Sequence, residues 1–375
     1  MTYLNIHFDR LLHNLNYLKS KLSSKTKIIA VVKADAYGHG AIEISKVLEQ
    51  NGITLIAVAS GNEGKILREN GIKSNIIVFY PNATEVSMML NYSLEPAIYS
   101  KQILLCLIDE LKTSSLNSFP LHLKFNTGLN RLGFSYNEIG WIKKTLDKTC
   151  LKIKSIYSHL SSSEEKKTSS LTNTQIKVFN KIKDQFKNIN PKIKYHLLNS
   201  SGIFNYPHLQ YDFIRTGISL YGYSNNKDWD KYLLPVADLT SKIIQIHNLK
   251  KGDSVGYNSS WIAKKKSRIA VIPLGHADGI GRYFGNSDAC VWIKNEKAKI
   301  VGNICMDMFM VDISKINCQE GDSVIVFDAK NSASKFSESA GTISYELLSS
   351  IGKRVNRKYL SVSYTHLRAH ETRED

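Results

Sequence analysis

Cysteine is scarce in this chain, and long apolar runs are absent. The five cysteines, Cys106, Cys150, Cys290, Cys305 and Cys318, are odd in number and widely spaced. Because there is no C-x-x-C pair and no Cys/His pattern with zinc spacing, we expect reduced thiols, no metal site and a cytoplasmic protein. The start, MTYLNIHFDRLLHN, has no apolar core typical of a signal peptide, and no apolar segment approaches the ~20 residues of a membrane span. We therefore expect neither an export signal nor a membrane partner.

Acidic residues are also few, 33 against 50 lysines and arginines, which gives a net charge of +17. The lysines are scattered and form no single block and no repeated basic and aromatic pattern. We therefore do not predict binding to nucleic acid; a basic RNA-binding protein remains an alternative that rests on net charge alone. The charge instead favours small anionic ligands such as phosphates and carboxylates.

No G-x-G-x-x-G follows the first strands, which argues against an open dinucleotide-binding sheet. A short strand is predicted at Leu4–His7 and an amphipathic helix at Asp9–Leu22. Ile28 to Val32 is a β-branched run typical of a strand buried on both faces. Apolar runs recur along the chain with helical patterns between them, eight in all with this one. The predicted strands are Lys27–Lys33, Thr54–Ala59, Asn75–Phe79, Leu94–Ile98, Leu121–Asn126, Ile153–His159, Tyr195–Asn199 and Tyr211–Arg215. This alternation predicts an α/β fold with a closed (β/α)8 barrel of the TIM type.

The pattern changes near residue 225. Residues 1–225 are predicted to form the barrel, and Ser224–Asp230 reads as a linker. Short alternating runs separated by Gly, Asp and Asn predict a mostly-β domain over residues 226–360, ending in a helical pattern at Thr342–Tyr359. Residues 361–375 have no apolar periodicity, and we expect them to be a non-native or disordered tail.

Polar side chains end several of the predicted barrel strands. They are Lys33, Lys124, Asn126, His159, Asn199, Ser200 and Arg215. A single lysine behind a strand could simply cap it, but the carboxyl ends of barrel strands converge on one rim. These residues therefore predict a functional site there.

Eight ordered segments carry a family resemblance. They are AVVKADAYGHG, HLKFNTGLNRLGF, IYSHLSSSE, NSSGIF, FIRTGISLYG, GDSVGYN, IPLGHADG and GNICMDMFMVD. Together they resemble the alanine racemase family, enzymes that use pyridoxal 5'-phosphate (PLP) and combine a barrel with a β-domain. The resemblance runs from about residue 3 to residue 360, and it implies a homodimer with shared active sites.

The resemblance implies two catalytic residues. Lys33 would carry PLP as a Schiff base, which requires an uncharged amine, and would then act as a base on one face of the substrate. Tyr257, in the second domain, would serve the opposite face in the partner subunit's site. Because a free phenol titrates near pH ~10, its anion needs nearby positive charge.

Further residues match cofactor contacts of the family. The implied contacts are Tyr37, Ser200 and Tyr345 with the phosphate, the N–H groups of Gly217 and Ile218 where a helix opens, His159 beside the ring, and Arg215 at the ring nitrogen. A guanidinium does not give up its proton, so the ring nitrogen would stay unprotonated. The cofactor would then be a weaker electron sink, which disfavours transamination.

The resemblance also assigns the substrate contacts. Arg131 and the backbone N–H of Met306 would bind the substrate carboxylate, and Lys124 matches a position that is often carbamylated. Asp307 reads as a structural or interface residue.

Three positions depart from the family pattern. Asn126 and Asn130 replace Asp and Gly in D-T-G-M-G-R, and His276 replaces Tyr in G-Y-A-D-G. We expect Asn126 to remove a negative charge close to Lys124 and to alter the network of Arg131, and His276 to change the site entrance. Activity should persist, with the rate and the substrate range affected.

The implied function is racemisation of alanine to supply D-alanine for peptidoglycan. A serine or broad-spectrum amino-acid racemase is the alternative. A non-catalytic PLP carrier would lack the β-domain, and a decarboxylase of this architecture would carry a different second-domain signature from Cys305–Asp307.

Overall fold

The chain divides into two compact units in this computed structural model. The structure describes residues 1–114, 116–165, 169–187, 190–224 and 226–361. One unit comprises Asn14–Leu233, and the other combines Met1–His13 with the chain from Leu234 onward. All but the first residue of the expected tail, 361–375, lies outside the described residues.

The N-terminal strand belongs to the second unit. Strand β1, Tyr3–His7, pairs antiparallel with residues 237–240 and parallel with residues 356–360. Its side chains alternate, with Leu4 and Ile6 buried, so it fits one face of a sheet. This differs from the division expected at residue 225, because the strand's partners are remote in sequence. Helix α1, Phe8–Ser20, follows it.

Eight parallel strands close into a barrel, which confirms the predicted fold. They are β2 Lys27–Val31, β3 Leu55–Val58, β4 Asn75–Val78, β5 Glu95–Ile98, β6 Phe119–Lys124, β7 Leu151–Tyr157, β8 Lys194–His196 and β9 Phe213–Thr216. Strand β2 pairs with both β3 and β9, which closes the ring.

Helical segments follow these strands. They are α2 Lys33–Tyr37, α3 Ala41–Gln50, α4 Gly61–Glu69, α5 Val86–Asn91, α6 Lys101–Lys112, α7 Ile139–Leu146, α8 Ser170–Lys187, α9 Ser200–Asn205 and α10 Lys227–Asp230, the last within the expected linker. Helix α6 begins where the Ser100 hydroxyl accepts a hydrogen bond from the Ile103 N–H, a standard N-cap. Its Leu104 and Leu107, three positions apart and so on one face of the helix, are buried. Among the described residues, no helix is both long and apolar enough to cross a membrane.

The barrel core has an apolar side and a polar side. A cluster of buried residues comes mainly from β2 to β5, namely Ile29, Val31, Leu55, Ala57, Ile77 and Ala97, with Tyr157 from β7. Burial of each large aliphatic side chain contributes about 1.5–3 kcal/mol. Strands β5 to β9 instead bury Glu95, His122, Ser155, His196 and Arg215.

The second unit is mostly β, as predicted. With β1, a nine-stranded sheet contains β10 Ala237–Lys242, β11 Gln245–Leu249, β14 Ser267–Ile272, β15 Cys290–Ile293, β16 Glu296–Val301, β17 Phe309–Asp312, β18 Ser323–Phe327 and β19 Asn356–Leu360. A two-stranded ribbon pairs β12 Ser254–Val255 with β13 Trp261–Ile262, and helices α11 Ala333–Glu338 and α12 Ser344–Ser350 complete the unit.

The prediction of a helix over Thr342–Tyr359 is wrong beyond Ser350. Helix α12 ends there, and Asn356–Leu360 forms β19, which pairs with β1. The local pattern favoured a helix, but backbone hydrogen bonds to a strand from the other end of the chain outweigh that preference.

Candidate active site

Lys33 begins an unusual turn at the carboxyl end of β2. The next four residues, Ala34 to Tyr37, all have left-handed φ angles between 52° and 54°. Such a conformation costs L-residues roughly 1–2 kcal/mol each, so surrounding contacts must hold it. Gly38, with φ 82°, closes the turn and donates to the Ala34 carbonyl at 3.0 Å.

The Glu63 carboxylate holds this turn to the barrel. One oxygen accepts from the Ala34 N–H at 2.8 Å, and the other accepts from the Ala59 N–H at 2.7 Å. We did not predict this role from the sequence. The Ser60-x-x-Glu63 spacing is typical of a capping box, so it predicts a bond at the start of the helix and does not indicate the bond to Ala34.

The rim of the barrel concentrates positive charge. Burial and the Arg131 guanidinium lower the pKa of Lys33, while the Glu63 carboxylate raises it in part. Lys124, at the end of β6, is buried, and burial together with Arg131, Arg215 and Lys33 lowers its pKa to about 8. Both amines therefore have an increased neutral fraction near neutral pH, and the predicted basic residues do meet at one place.

Arg215 is almost fully buried at this rim. Its guanidinium donates to the Ser158 carbonyl at 2.8 Å, the Leu197 carbonyl at 2.9 Å and His196 Nδ1 at 2.7 Å. A weaker bond of 3.3 Å joins it to His159 Nδ1. Because arginine can only donate, each imidazole nitrogen that faces it must accept.

The electrostatics around Arg215 agree with this hydrogen bonding. Burial, then Arg215 and the other cations, holds the pKa of His159 well below its usual range, and burial and Arg215 do the same for His196. Burial lowers the pKa of Arg215 to about 10, so it stays charged at neutral pH.

A cradle forms between Tyr37, Ser200 and Gly217. A Cβ on Gly217 would lie 2.4 Å from the Tyr37 hydroxyl oxygen, so only glycine leaves room for that hydroxyl. The Ser200 hydroxyl accepts from the Gly217 N–H at 3.2 Å. Burial raises the pKa of Tyr37 to about 12, so its hydroxyl keeps its proton and can donate.

The helix expected to open at Gly217 and Ile218 is not formed. Leu220 and Tyr221 donate to the carbonyls of Gly217 and Ile218, at 2.8 and 3.0 Å, which makes successive turns. Any N–H contribution to anion binding at this point therefore comes without a helix dipole.

The two asparagine departures bond to each other. The Asn126 side-chain oxygen accepts from the N–H groups of Gly128 and Asn130 at 3.1 and 2.9 Å, and its amide donates to the Asn130 oxygen at 2.9 Å. Asn130 has φ 57°, a left-handed value that asparagine tolerates better than most residues. Asn126 thus closes its own loop rather than bonding to Arg131 or Lys124.

The residues of this rim fit PLP. Lys33, Lys124, Arg131 and Arg215 interact electrostatically at the rim, which suits an anionic cofactor. The Gly217 cradle holds a donor hydroxyl. The buried Tyr157 hydroxyl has no hydrogen-bond partner in the described part of the protein. Its ring lies 5.1 Å from the Arg215 guanidinium carbon and 5.9 Å from Lys124 Nζ. We did not predict Tyr157 or His196 from the sequence, although each is a polar residue within a predicted strand.

The remaining predicted site residues lie in the second unit. Tyr257 is 67% exposed and Met306 is 58% exposed. The Asn303 amide donates to the Tyr257 carbonyl at 3.1 Å, and the His276 N–H donates to the Cys305 carbonyl at 3.0 Å. Tyr257, Met306 and His276 therefore share one exposed region of that unit.

Two other residues of the second unit have separate positions. Tyr345 lies in the first turn of α12 and is partly buried. Asp307 accepts from Arg354 at 2.7 Å in a surface ion pair, in line with a structural role. No group of three or more metal-ligating side chains occurs among the residues that the structure covers.

Known proteins resemble this chain over nearly its full length. Residues 6–225 match the model of the alanine racemase N-terminal domain, and residues 236–359 match that of the C-terminal domain. An alanine racemase of Thermodesulfovibrio yellowstonii is 36% identical over 363 residues, covering 95% of this chain and 96% of that protein. An amino-acid racemase of Enterococcus faecalis is 34% identical over 354 residues, covering 92% of this chain and 49% of that protein. The solved alanine racemase of Clostridium difficile 630 aligns with a TM-score of 0.90 at 31% identity, covering 96% of each chain.

Proposed function

The chain belongs to the alanine racemase family and is thus a racemase, an isomerase, and we propose that it interconverts L-alanine and D-alanine with PLP. The observation that carries the proposal is the Lys33 amine. It lies at the barrel rim among other cations, and its pKa is lowered. Such an amine can bind an aldehyde and afterwards accept a proton.

The rim residues would hold the cofactor as follows. Lys33 Nζ would bind the aldehyde carbon, while Tyr37, Ser200 and the N–H groups of Gly217 and Ile218 would hold the phosphate. His159 would lie beside the ring, and Arg215 would donate to the ring nitrogen. Tyr345 would add a phosphate contact. Bound PLP supplies an electron-withdrawing ring that makes the α-proton of the amino acid acidic.

Two groups would move the α-proton of the amino acid. Lys33 Nζ would remove or return it on one face of the substrate, and the Tyr257 hydroxyl would do so on the opposite face. We propose that Tyr257 and Met306, exposed on the second unit, enter the barrel rim of a partner subunit in a homodimer. There Arg131 would bind the substrate carboxylate together with the Met306 N–H.

Arg215 would keep the reaction a racemisation. Its bonds to Ser158, Leu197 and His196 hold the guanidinium in place, and it stays protonated. It therefore has no proton to give to the ring nitrogen. With its nitrogen unprotonated, the ring would withdraw electrons from the substrate less strongly. This would favour prompt return of the α-proton over transamination.

Lys124 would be carbamylated. With a pKa of about 8, a useful fraction of its amine is neutral at pH 7.5. The neutral amine can attack CO2, forming a C–N bond and releasing one proton to solvent. The resulting anion would offset the charge of Arg131 and help to orient it.

The experiment is α-deuterium exchange by the purified PLP-loaded protein with L-alanine, D-alanine and L-serine. We expect exchange and racemisation of both alanine isomers, none with Lys33→Ala, and retained PLP with little L-to-D conversion in Tyr257→Phe. Normal racemisation by Tyr257→Phe would contradict the assignment of two bases. In the cell we propose a cytoplasmic role in supplying D-alanine for peptidoglycan.

A broad-spectrum amino-acid racemase is the second candidate, favoured by the relative from Enterococcus faecalis named an amino-acid racemase. Turnover of serine at a rate that matches or exceeds that of alanine would select a serine or broad-spectrum racemase. A PLP-loaded protein that exchanges no substrate would instead be a carrier.

A further inference from the structure

Five buried polar side chains run across the inside of the barrel, one from each of five consecutive strands. They are Glu95 on β5, His122 on β6, Ser155 on β7, His196 on β8 and Arg215 on β9, and none is more than 5% exposed. His122 and Ser155 are direct partners in the register of β6 and β7. Barrel interiors are usually filled by branched apolar residues, so a row of five buried polar side chains is unusual there.

Hydrogen bonds join these five side chains end to end. Arg215 Nη1 lies 2.7 Å from His196 Nδ1, and His196 Nε2 lies 2.8 Å from Ser155 Oγ. Ser155 Oγ lies 2.6 Å from His122 Nδ1, and His122 Nε2 lies 2.8 Å from Glu95 Oε2. We call these five residues the Arg215–Glu95 chain.

The chemistry of the two ends determines the direction of every bond. Arg215 can only donate, so His196 Nδ1 accepts and the His196 proton sits on Nε2, donating to Ser155. The single hydroxyl proton of Ser155 then goes to His122 Nδ1. His122 carries its own proton on Nε2 and donates it to the Glu95 carboxylate, which can only accept. All donors and acceptors are thus matched.

Other proton arrangements leave a mismatch. If His122 were doubly protonated, Ser155 would have to accept from both imidazoles. The buried hydroxyl proton of Ser155 would then have no acceptor among these five residues. If the direction were reversed, a proton on His196 Nδ1 would face the Arg215 N–H. Unpaired buried donors are costly and therefore rare.

The state of the carboxylate agrees with this direction. Burial alone would raise the pKa of Glu95, but the hydrogen bonds from His122 and Lys154 and the positive charge of Lys154 bring it below its usual value. Lys154 Nζ lies 2.6 Å from the second Glu95 oxygen. Glu95 is therefore an acceptor at neutral pH.

We propose that Glu95 and His122 are positioning residues for Arg215, setting through Ser155 the tautomer of His196 and hence the orientation of the guanidinium. The effect on the reaction rests on the proposed function, because it requires Arg215 to meet the ring nitrogen of PLP. The tautomers themselves do not depend on it.

The first test measures imidazole 15N chemical shifts in the cofactor-free protein. For the wild type we expect His122 and His196 to be neutral with the proton on Nε2. Glu95→Gln should change the His196 signals, because a side-chain amide that faces both His122 and Lys154 cannot accept from both. Lys154→Met keeps the carboxylate that accepts from His122, so it should leave His196 unchanged. Glu49→Gln, a charge change at a carboxylate bonded to Ser74, controls for the lost charge.

The second test uses the PLP-loaded protein. Glu95→Gln should lower kcat by about tenfold, leave the KM for alanine nearly unchanged because Arg131 is intact, and increase the cofactor lost to transamination per turnover. Lys154→Met should retain most of kcat.

Several results would overturn the inference. These are a wild-type His122 that is doubly protonated, a wild-type His196 proton on Nδ1, or His196 signals unchanged by Glu95→Gln. The wild-type spectrum decides the tautomers even if Glu95→Gln does not fold. If the wild type racemises nothing, the proposed function fails while the tautomer result still stands.

Discussion

Gly217→Ala should disrupt the cradle of Tyr37 through space alone. The added Cβ would lie 2.4 Å from the Tyr37 hydroxyl oxygen, 2.8 Å from its Cζ and 3.0 Å from its Cε2. Gly217 does not have a left-handed φ, so backbone strain does not contribute. The Tyr37 ring packs against Tyr221 with centroids 5.0 Å apart, which restricts its retreat.

The expected magnitude follows from overpacking of a closed site. An inserted methyl group that forces such a shift costs about 1–3 kcal/mol of stability. The displaced hydroxyl is also the proposed phosphate donor. A loss of roughly 1.4–2.8 kcal/mol in PLP binding corresponds to roughly ten- to hundredfold weaker affinity.

The assay combines urea unfolding of the cofactor-free protein with absorbance titration of PLP. Gly140→Ala is the matched control, because a Cβ there meets nothing within 4 Å and the residue lies within helix α7. It should stabilise the protein by about 0.5–1 kcal/mol. In a Tyr37→Ala background, Gly217→Ala should lose most of its cost. An unchanged PLP affinity in Gly217→Ala, or an equal loss of stability in both backgrounds, would rule out the steric clash with Tyr37.

Two further predictions concern the rim. In CO2-free buffer Lys124 is not carbamylated, and its pKa is about 8 in the folded protein and ~10.5 in the unfolded chain. Between pH ~8 and ~10.5 the unfolded chain therefore binds more protons at Lys124 than the folded protein does. The contribution of Lys124 to the free energy of unfolding thus rises with pH over this range. Lys124→Met should therefore raise the urea midpoint at pH 7 and flatten this rise, and equal pH slopes in both proteins would contradict the shift. Asn130→Ala should cost about 1–2 kcal/mol at its φ of 57°, whereas Asn130→Gly should cost much less; equal unfolding midpoints for the two variants would argue against a left-handed Asn130.

The strands of the barrel could be predicted because their signal is local. Each apolar run, such as Ile28 to Val32, is long enough to indicate a strand, and the observed ends fall within a few residues of the predicted ones. The placement of β1 and β19 could not be predicted in this way, because each is stabilised by pairing with strands that are remote in sequence.

The site residues that could be predicted from the sequence are likewise those with a local signal. Lys33, Lys124 and Arg215 were identifiable because each follows or ends a predicted strand. Glu63 and Tyr157 were not, since a capping-box spacing and an aromatic residue in a strand have common structural explanations.

The amino-acid sequence alone determined that polar groups meet at one rim, because parallel strands of a closed barrel end on the same side whatever their loops do. Only the tertiary structure decided how those groups behave. The low pKa of Lys124, the room at Gly217 for the Tyr37 hydroxyl and the one-way hydrogen bonds from Arg215 to Glu95 depend on burial and on distances between strands. Those quantities arise from packing among residues far apart in the chain, and no local pattern encodes them.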